Sequence, residues 1–372
     1  MRIAFHTPLN RFDDDGISGD RRMARQLVAV LRDLGHDVGP VDAPRGFFRS
    51  ADPALLAAAQ REAGRLRELW TRDWAETGEA PELWFTYHNY YKAPDLFGPT
   101  IAAERGIPYI VAEASDAPRR DHGEWAAHNA AARGGLAEAD LHLHFTERDR
   151  KGIEPWRNAT TELLPLPPFL ALADTLPRKR AGEGPPRLVT VAMMREGTKL
   201  NSYLILARLL SPLRDRPWTL TVIGDGQRRA EVESAFADFE PGRVAWRGKL
   251  DHDRVLDELA GHDLFIWPGV REAYGLVYLE AQAIGLPIVA FDSGGVSATV
   301  RAGETALLAP EGDEAAFGAN LRRLLGDQAS RATMGESARR FVLTERTPRR
   351  AANILREGIE VAIANRRARA LR

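Results

Sequence analysis

The chain has 372 residues, of which 44% are hydrophobic, and this length favours two globular domains over one. Its 51 basic and 52 acidic side chains nearly cancel, so the overall charge gives no reason to expect a nucleic-acid partner. Cysteine is absent, which excludes disulfides and thiolate metal sites, and without a signal-peptide pattern or a membrane-spanning apolar run we expect a cytoplasmic protein.

The chain opens with the pattern of a parallel sheet: a β-rich run at residues 2–6, a loop, a helical pattern that ends at Gly35, and another short run. The first loop of a doubly wound sheet commonly contacts a ligand, and here it contains Gly16 and Gly19. The loop does not have the spacing of a dinucleotide fingerprint. The alternative is an ordinary turn in which Ser18 or Asp20 caps the following helix.

A long amphipathic helix is predicted over residues 47–74. Its apolar positions favour packing into a core, whereas its interleaved arginines also fit contact with a membrane surface. We favour core packing, for the apolar positions Leu55, Leu56, Leu66, Leu69, Trp70 and Trp74. The arginine-rich helix predicted for residues 348–372 has the same two interpretations.

His88 stands at the carboxyl end of a strand predicted for residues 83–87. An imidazole there could orient an acceptor hydroxyl or accept its proton, because its pKa lies near neutrality. A purely structural histidine is the alternative. Residues 108–113 repeat the order of strand and polar loop, which makes Glu113 another candidate, and the alternation of strands and helices predicts a Rossmann-like first half.

Residues 165–186 contain six prolines and a basic triplet, which is typical of a linker. We predict domains at residues 1–170 and 187–346, a linker at 171–186, and a last helix at 347–372.

The second half restarts with a strand at residues 187–193, followed by Arg195 and Lys199 ahead of a helix. Cations just past a strand can bind a diphosphate, although a salt-bridged surface loop fits the same pattern. The next strand ends in a glycine turn at Gly224. Asp251 and Asp253 have the spacing of a D-x-D metal-binding motif, but a helix cap explains them better. We predict that no metal is required.

Residues 264–298 have the order strand, loop, helix, strand and glycine turn. Glu272 lies in the loop and Glu280 in the helix, so both carboxylates can face the carboxyl edge of the sheet. The helix start suits phosphate, which accepts hydrogen bonds from the amides of Tyr274, Gly275 and Leu276. These features indicate a site for a sugar linked to a diphosphate. Alternatively, the two glutamates are a cap and a solvated side chain.

This stretch resembles the E-x7-E segment of retaining glycosyltransferases with the GT-B fold, in particular family four. The resemblance implies two Rossmann-like doubly wound α/β domains facing across a cleft, the first binding the acceptor and the second the nucleotide sugar. It also implies that Glu272 contacts the donor sugar and that Glu280 binds the ribose.

The same resemblance implies that Arg195 and Lys199 grip the donor diphosphate, with Gly224 in the donor site. In the first domain it places Ser18, Gly19 and Asp20 at the cleft and His88 on the acceptor side. It also implies that the last helix crosses back to the first domain. The expected activity is metal-independent transfer of a sugar, with retention, from a nucleotide-diphosphate donor to an acceptor hydroxyl, with no cofactor.

We expect a bacterial enzyme of glycan or glycolipid synthesis whose acceptor is a saccharide, a lipid-linked saccharide or a small molecule. Peripheral membrane contact stays open. The alternatives are a non-catalytic nucleotide-sugar or lipid-binding protein of the same fold and a Rossmann oxidoreductase, which would need the glycine fingerprint that this chain does not have.

Overall fold

The computed structural model describes residues 1–15, 18–172, 176–180, 182 and 184–371, so parts of the predicted linker 171–186 lie outside the described residues. The chain divides into two compact units. Unit 1 combines Met1–Pro167 with Pro348–Arg372, and unit 2 is Pro168–Thr347.

Unit 1 is a parallel sheet with helices around it. Its elements are β1 Arg2–His6, α1 Gly19–Asp33, β2 Asp37–Pro40, α2 Pro53–Thr77, β3 Leu83–Asn89, α3 Gly98–Arg105, β4 Tyr109–Ala114, α4 Ala126–Glu138, β5 Leu141–His144, α5 Glu147–Ile153, β6 Glu162–Pro165 and α12 Pro348–Ala370. The strand order is β2-β1-β3-β4-β5-β6, and neighbouring strands are parallel.

Unit 2 repeats this architecture. Its elements are β7 Arg187–Val191, α6 Thr198–Leu210, β8 Thr219–Ile223, α7 Arg229–Ala235, β9 Val244–Gly248, α8 His252–Leu259, β10 Leu264–Ile266, α9 Leu276–Ile284, β11 Ile288–Asp292, β12 Ala306–Pro310, α10 Glu314–Gly326 and α11 Gln328–Glu345. The strand order is β12-β11-β10-β7-β8-β9, again parallel.

The central strands are buried because helices cover both faces of each sheet, as parallel sheets require. Every residue of β3 is buried, and so are all of β10 and most of β11. The predicted fold class, two doubly wound Rossmann-like units, is therefore confirmed. Each sheet has a topological switch point, between β1 and β3 in unit 1 and between β7 and β10 in unit 2. Ligands of doubly wound sheets bind at the carboxyl ends of the strands that flank such a point.

Helix α2 differs from the prediction at its start and on its apolar face. It begins at Pro53 because Asp52 caps it, accepting a hydrogen bond from Ala54 N. The core prediction is wrong for Leu55 and Leu69, which are 52% and 50% exposed, while Leu56 is buried. In the described part of the chain, no helix combines the length and the apolar character needed to cross a membrane.

Helix α12 packs on α1, β5 and β6 through a stripe that includes Leu355, Ile359 and Ala362. Near its end the Arg366 guanidinium donates to the buried Asp140 carboxylate at 2.8 Å and to Glu138 at 3.0 Å. This arginine therefore stabilises unit 1 internally.

Candidate functional site

In unit 2, the loops that follow β7 and β8 lie side by side because glycines allow close backbone approach. Gly224 and Gly226 have positive φ angles of 145° and 157°, and a Cβ on either would overlap the carbonyl of Ala192 or Met194. Met194 N donates to Asp225 O at 3.0 Å. The predicted glycine turn thus supports the loop that carries Arg195.

Lys199 and Glu272 meet at the switch point of unit 2. Lys199 lies in the first turn of α6, and its ammonium forms an ion pair with the Glu272 carboxylate in the loop after β10. The same ammonium lies 5.7 Å from the centre of the Trp267 ring. Residues 73 positions apart in sequence therefore share one edge of the sheet.

Hydrogen bonds between backbone groups of the Glu272 loop and neighbouring residues hold the loop in place from both sides. Val270 N donates to the Ser202 hydroxyl at 3.1 Å, and Arg271 N donates to the Ser293 hydroxyl at 2.7 Å. Gly295 N donates to Glu272 O at 2.8 Å. Helix α6 and the loops after β10 and β11 therefore form one hydrogen-bonded assembly that contains Glu272.

Helix α9 starts directly after this loop. Gly275 occupies the cap position with φ of 74°, and no described side chain caps the helix start. The first backbone N–H groups of the helix can therefore donate hydrogen bonds to an anionic ligand. Leu276 and Tyr274 are buried beside it.

Glu280 lies farther along α9 and is 7% exposed. One of its carboxylate oxygens lies 3.7 Å from Nδ1 of His252, in the first turn of α8. Asp251 caps α8 by accepting from Arg254 N at 2.9 Å, which confirms the predicted cap.

Arg195 is exposed and forms no ion pair with any residue that the structure describes. Its carbonyl accepts a hydrogen bond from Leu200 N at 3.0 Å. Arg195 therefore lies in the loop between β7 and α6, close in sequence to Lys199, and its guanidinium group is in solvent. Unit 2 thus brings Lys199 and Glu272 into contact, and Arg195, Gly224 and Glu280 lie on elements that follow the carboxyl ends of β7, β8 and β10.

The other predicted site residues lie in unit 1. Ser18 caps α1, accepting a hydrogen bond from Arg21 N at 3.2 Å, as the alternative interpretation of this loop proposed. Gly16 lies outside the described residues. Gly19 is exposed, and among the described residues no atom would lie within 4 Å of a Cβ at this position.

His88 contacts two carboxylates at the carboxyl edge of unit 1. Its Nδ1 pairs with the Glu113 carboxylate, and its Nε2 lies 3.6 Å from the Asp20 carboxylate. His88 and Glu113 have positive φ angles of 68° and 52°, rare for residues with a side chain. These two strand ends are held in a strained conformation that directs both side chains to one place.

Burial and mutual interaction shift the pKa values of His88 and the carboxylates around it. Burial raises the pKa of Glu113 to about 8, although the charge of His88 opposes this. Burial also lowers the pKa of His88, but Glu113 and Asp20 outweigh it and raise that pKa overall. Burial raises the pKa of Asp149, which lies in α5. The edge therefore carries negative potential and holds protons near neutral pH.

Sequence reasoning missed some residues of both sites. Ser202 and Ser293 orient the Glu272 loop, and their only signals were their places one turn after Lys199 and directly before a glycine pair. The contact of His252 with Glu280 was missed because His252 sits within a cap motif. Asp149 was missed because α5 was not predicted.

Comparison with known proteins places these sites in a known context. A family model described as Glycosyl transferases group 1 matches residues 185–327, which include the whole Lys199 and Glu272 assembly. A 2-deoxystreptamine glucosyltransferase of Streptomyces kanamyceticus is 28% identical over 297 residues, 74% of each chain. The next relatives match over less than half of their own length.

Solved structures agree on the fold. A sucrose-phosphate synthase from Thermosynechococcus elongatus superposes with a TM-score of 0.71 at 19% identity, over 98% of this chain and 99% of that one. Anabaena Alr3699/HepE in complex with UDP gives a TM-score of 0.69 at 16% identity, over 97% and 100%. At these identities the likeness concerns the fold alone, which is that of GT-B glycosyltransferases.

Proposed function

We propose that this chain, whose residues 185–327 match the model described as Glycosyl transferases group 1, is a glycosyltransferase that transfers a sugar from a nucleotide-diphosphate donor to an acceptor hydroxyl, with retention and without a metal. The observation that carries this proposal is the contact of Lys199 with Glu272 at the switch point of unit 2. A cation and a carboxylate side by side match the two ends of a sugar diphosphate.

In this proposal, unit 2 binds the donor. Arg195, Lys199 and the first amides of α9 bind the diphosphate, and they stabilise the charge that develops on the leaving group. Glu272 accepts hydrogen bonds from the sugar hydroxyls, and Glu280 from the ribose. When the donor binds, its phosphate replaces the Glu272 carboxylate as the partner of Lys199, which leaves the carboxylate available to the sugar.

The transfer breaks the bond between the anomeric carbon and the β-phosphate oxygen. A bond from the same carbon to the acceptor oxygen forms on the same face, and the hydroxyl proton passes to the departing phosphate. The positive potential of Arg195 and Lys199 supplies what a metal supplies in other transferases. Unit 1 binds the acceptor, with His88 orienting its hydroxyl.

The donor is the first point to test. The Streptomyces relative is named for glucosyl transfer, and HepE was solved with UDP, so UDP-glucose heads a panel that also includes GDP-, ADP- and dTDP-sugars. With EDTA present, we expect one nucleotide to raise the melting temperature by several degrees, and its sugar to be hydrolysed slowly. No shift and no hydrolysis with any donor would refute the proposal.

A Glu272→Ala variant separates an enzyme from a binding protein of the same fold. We expect it to lose sugar transfer and donor hydrolysis while it still binds the free nucleotide. Donor binding without turnover in either wild type or variant would favour the binding protein, whereas normal turnover in the variant would mean that catalysis does not need Glu272. Product NMR at the anomeric proton tests retention.

A further inference from the structure

A cavity of about 530 Å³ lies at the amino edge of the unit 1 sheet, where β1, β3 and β4 begin. His88 lies at the other end of β3, about 17 Å away along the strand. Strand starts, the end of α3 and the last turns of α12 all contribute to the lining, which includes Arg2, Glu82, Arg105, Pro108, Arg366 and Arg367. The cavity therefore belongs to neither of the sites described above.

Three arginines of this lining form no ion pair within the described part of the chain: Arg2, Arg105 and Arg367. Two of them are positioned by contacts that leave their charge intact. Arg2 Nε donates to Ala80 O at 2.9 Å, and the Arg105 guanidinium lies 5.2 Å from the centre of the Trp74 ring. The acidic residue of the described lining is Glu82. Three guanidinium groups against one carboxylate leave a surplus of two positive charges, which equals the charge of a phosphate dianion.

Arg366 adds a hydrogen-bond donor to the cavity rather than net charge. Its Nε donates to Asp140 and its Nη1 to Glu138, so two carboxylates already balance this guanidinium. Its Nη2 is buried and has no hydrogen-bond partner among the described residues. Buried donors normally have a partner, so Nη2 is available to a ligand that fills the neighbouring cavity.

The chemistry of the lining favours a phosphate group over a carboxylate. Guanidinium groups from separate elements suit a ligand with several acceptor oxygens. A phosphomonoester has three terminal oxygens and nearly two negative charges at neutral pH, whereas a carboxylate has two oxygens and one charge. The lining also includes the apolar Pro81, Ile107 and Ile363, and the volume lies in the range of small-molecule sites. The cavity therefore has room for an organic group attached to the phosphate.

We propose that this cavity binds the phosphate group of a phosphomonoester through Arg2, Arg105, Arg367 and Nη2 of Arg366. Two of these arginines lie on α12, one in β1 and one at the end of α3, so the bound phosphate joins α12 to the rest of unit 1. The inference does not rest on the proposed function, because donor binding and sugar transfer are measured separately.

Glycerol 3-phosphate and glycerol form a matched pair of probes for the charge. In calorimetry at about pH 7.5, where the phosphate is a dianion, we expect glycerol 3-phosphate to bind, glycerol not to bind, and the binding to weaken as salt is raised. Co-sedimentation with phosphatidylcholine vesicles, with and without phosphatidic acid, tests a lipid as the source of the phosphate. Binding only to vesicles that contain phosphatidic acid would assign a lipid phosphate, and binding of neither probe would refute the inference.

Variants locate the phosphate. We expect Arg105→Gln and Arg367→Gln each to weaken its binding about tenfold, because each removes a charge-assisted contact. Arg356→Gln is the control and should bind normally, since Arg356 is exposed on α12 about 15 Å from Arg366. Phosphate bound at the donor site of unit 2 would instead be lost in Lys199→Met and kept in the two arginine variants. That result, or equal binding in all four variants, would overturn the inference.

Discussion

Lys199 is the residue whose position most directly links the sequence to the chemistry. Its ammonium group contacts a carboxylate and lies near an indole ring, yet the side chain is still 28% exposed to solvent. An exposed ion pair contributes little to folding, so this pair has more value for binding than for stability.

We expect Lys199→Met to weaken binding of the nucleoside diphosphate by about tenfold or more, because a charge-assisted contact to the phosphate is lost. Calorimetric titration with the nucleotide that gives the thermal shift measures this. Arg208→Met, on the same helix and exposed, is the control and should bind normally. Unchanged affinity in Lys199→Met would assign the diphosphate to other groups.

The raised pKa of Glu113 predicts that the stability of the folded protein depends on pH. Its pKa is raised from 4.5 to about 8 in the folded state, so folding takes up protons, and the stabilisation present below about pH 4.5 is lost as pH rises through 8. His88, whose pKa is also raised, acts in the same direction.

Between pH 5 and 8, the free energy of unfolding of the wild type should therefore fall relative to that of Glu113→Gln, by on the order of 1–3 kcal/mol. Urea denaturation at several pH values measures the difference. A constant difference across this range would mean that Glu113 does not hold a proton in the folded protein.

At the scale of elements, close approach of loops sets the geometry of the donor site. Gly294 has φ of 62°, and a Cβ on it would overlap the backbone carbonyl of Glu272. The glycine after β11 therefore determines where the loop after β10 can lie.

Gly294→Ala should both destabilise unit 2 and weaken donor binding, because the Glu272 loop must move. Gly312→Ala provides the comparison: its φ is 85°, but a Cβ there would meet no atom within 4 Å, so it should cost only about 1 kcal/mol of backbone strain. Thermal unfolding and nucleotide titration measure both effects. Equal behaviour of the two variants would show that the clash is relieved locally.

The elements also show how far the sequence could predict the molecule. Periodicity placed β1 at residues 2–6 and a helix at 199–210, close to the observed β1 and α6, because strands and helices bury residues at different spacing. The start of α2 was predicted too early although Asp52 and Pro53 are a cap signal. Strand β6 was not predicted because it is an edge strand with no buried residue and a terminal proline.

The sites were predictable only in part. The order of strand, loop and helix located Lys199, Glu272 and His88 at strand ends, since the carboxyl edge follows from a parallel sheet alone. The contacts of His88 with Asp20 and Glu113 depend on strand order and on two positive φ angles, which a single sequence does not reveal.

For the whole molecule, the buried pair of Arg366 with Asp140 ties α12 to the sheet of unit 1. Asp140 has no exposed surface and also accepts a hydrogen bond from Tyr109 N at 2.8 Å. Arg366→Met removes the nearer of the two arginines that pair with this carboxylate, leaving Arg369 at 3.9 Å, and should destabilise unit 1 by about 3–5 kcal/mol. Arg367→Met, exposed on the same helix, should change little.

Urea unfolding followed by tryptophan fluorescence compares these two variants. We expect an earlier first transition in Arg366→Met only, because the two units can unfold separately. Identical curves would mean that α12 is held by its apolar stripe alone.

Unit 1 is assembled from the beginning of the chain and from its last helix, with all of unit 2 lying between them in sequence. On the ribosome, unit 2 is therefore fully translated before α12 emerges, so the nascent chain can complete its second Rossmann-like unit first. Until α12 emerges, the surface of β5 and β6 that it covers stays exposed to solvent, and chaperones can bind that surface during synthesis.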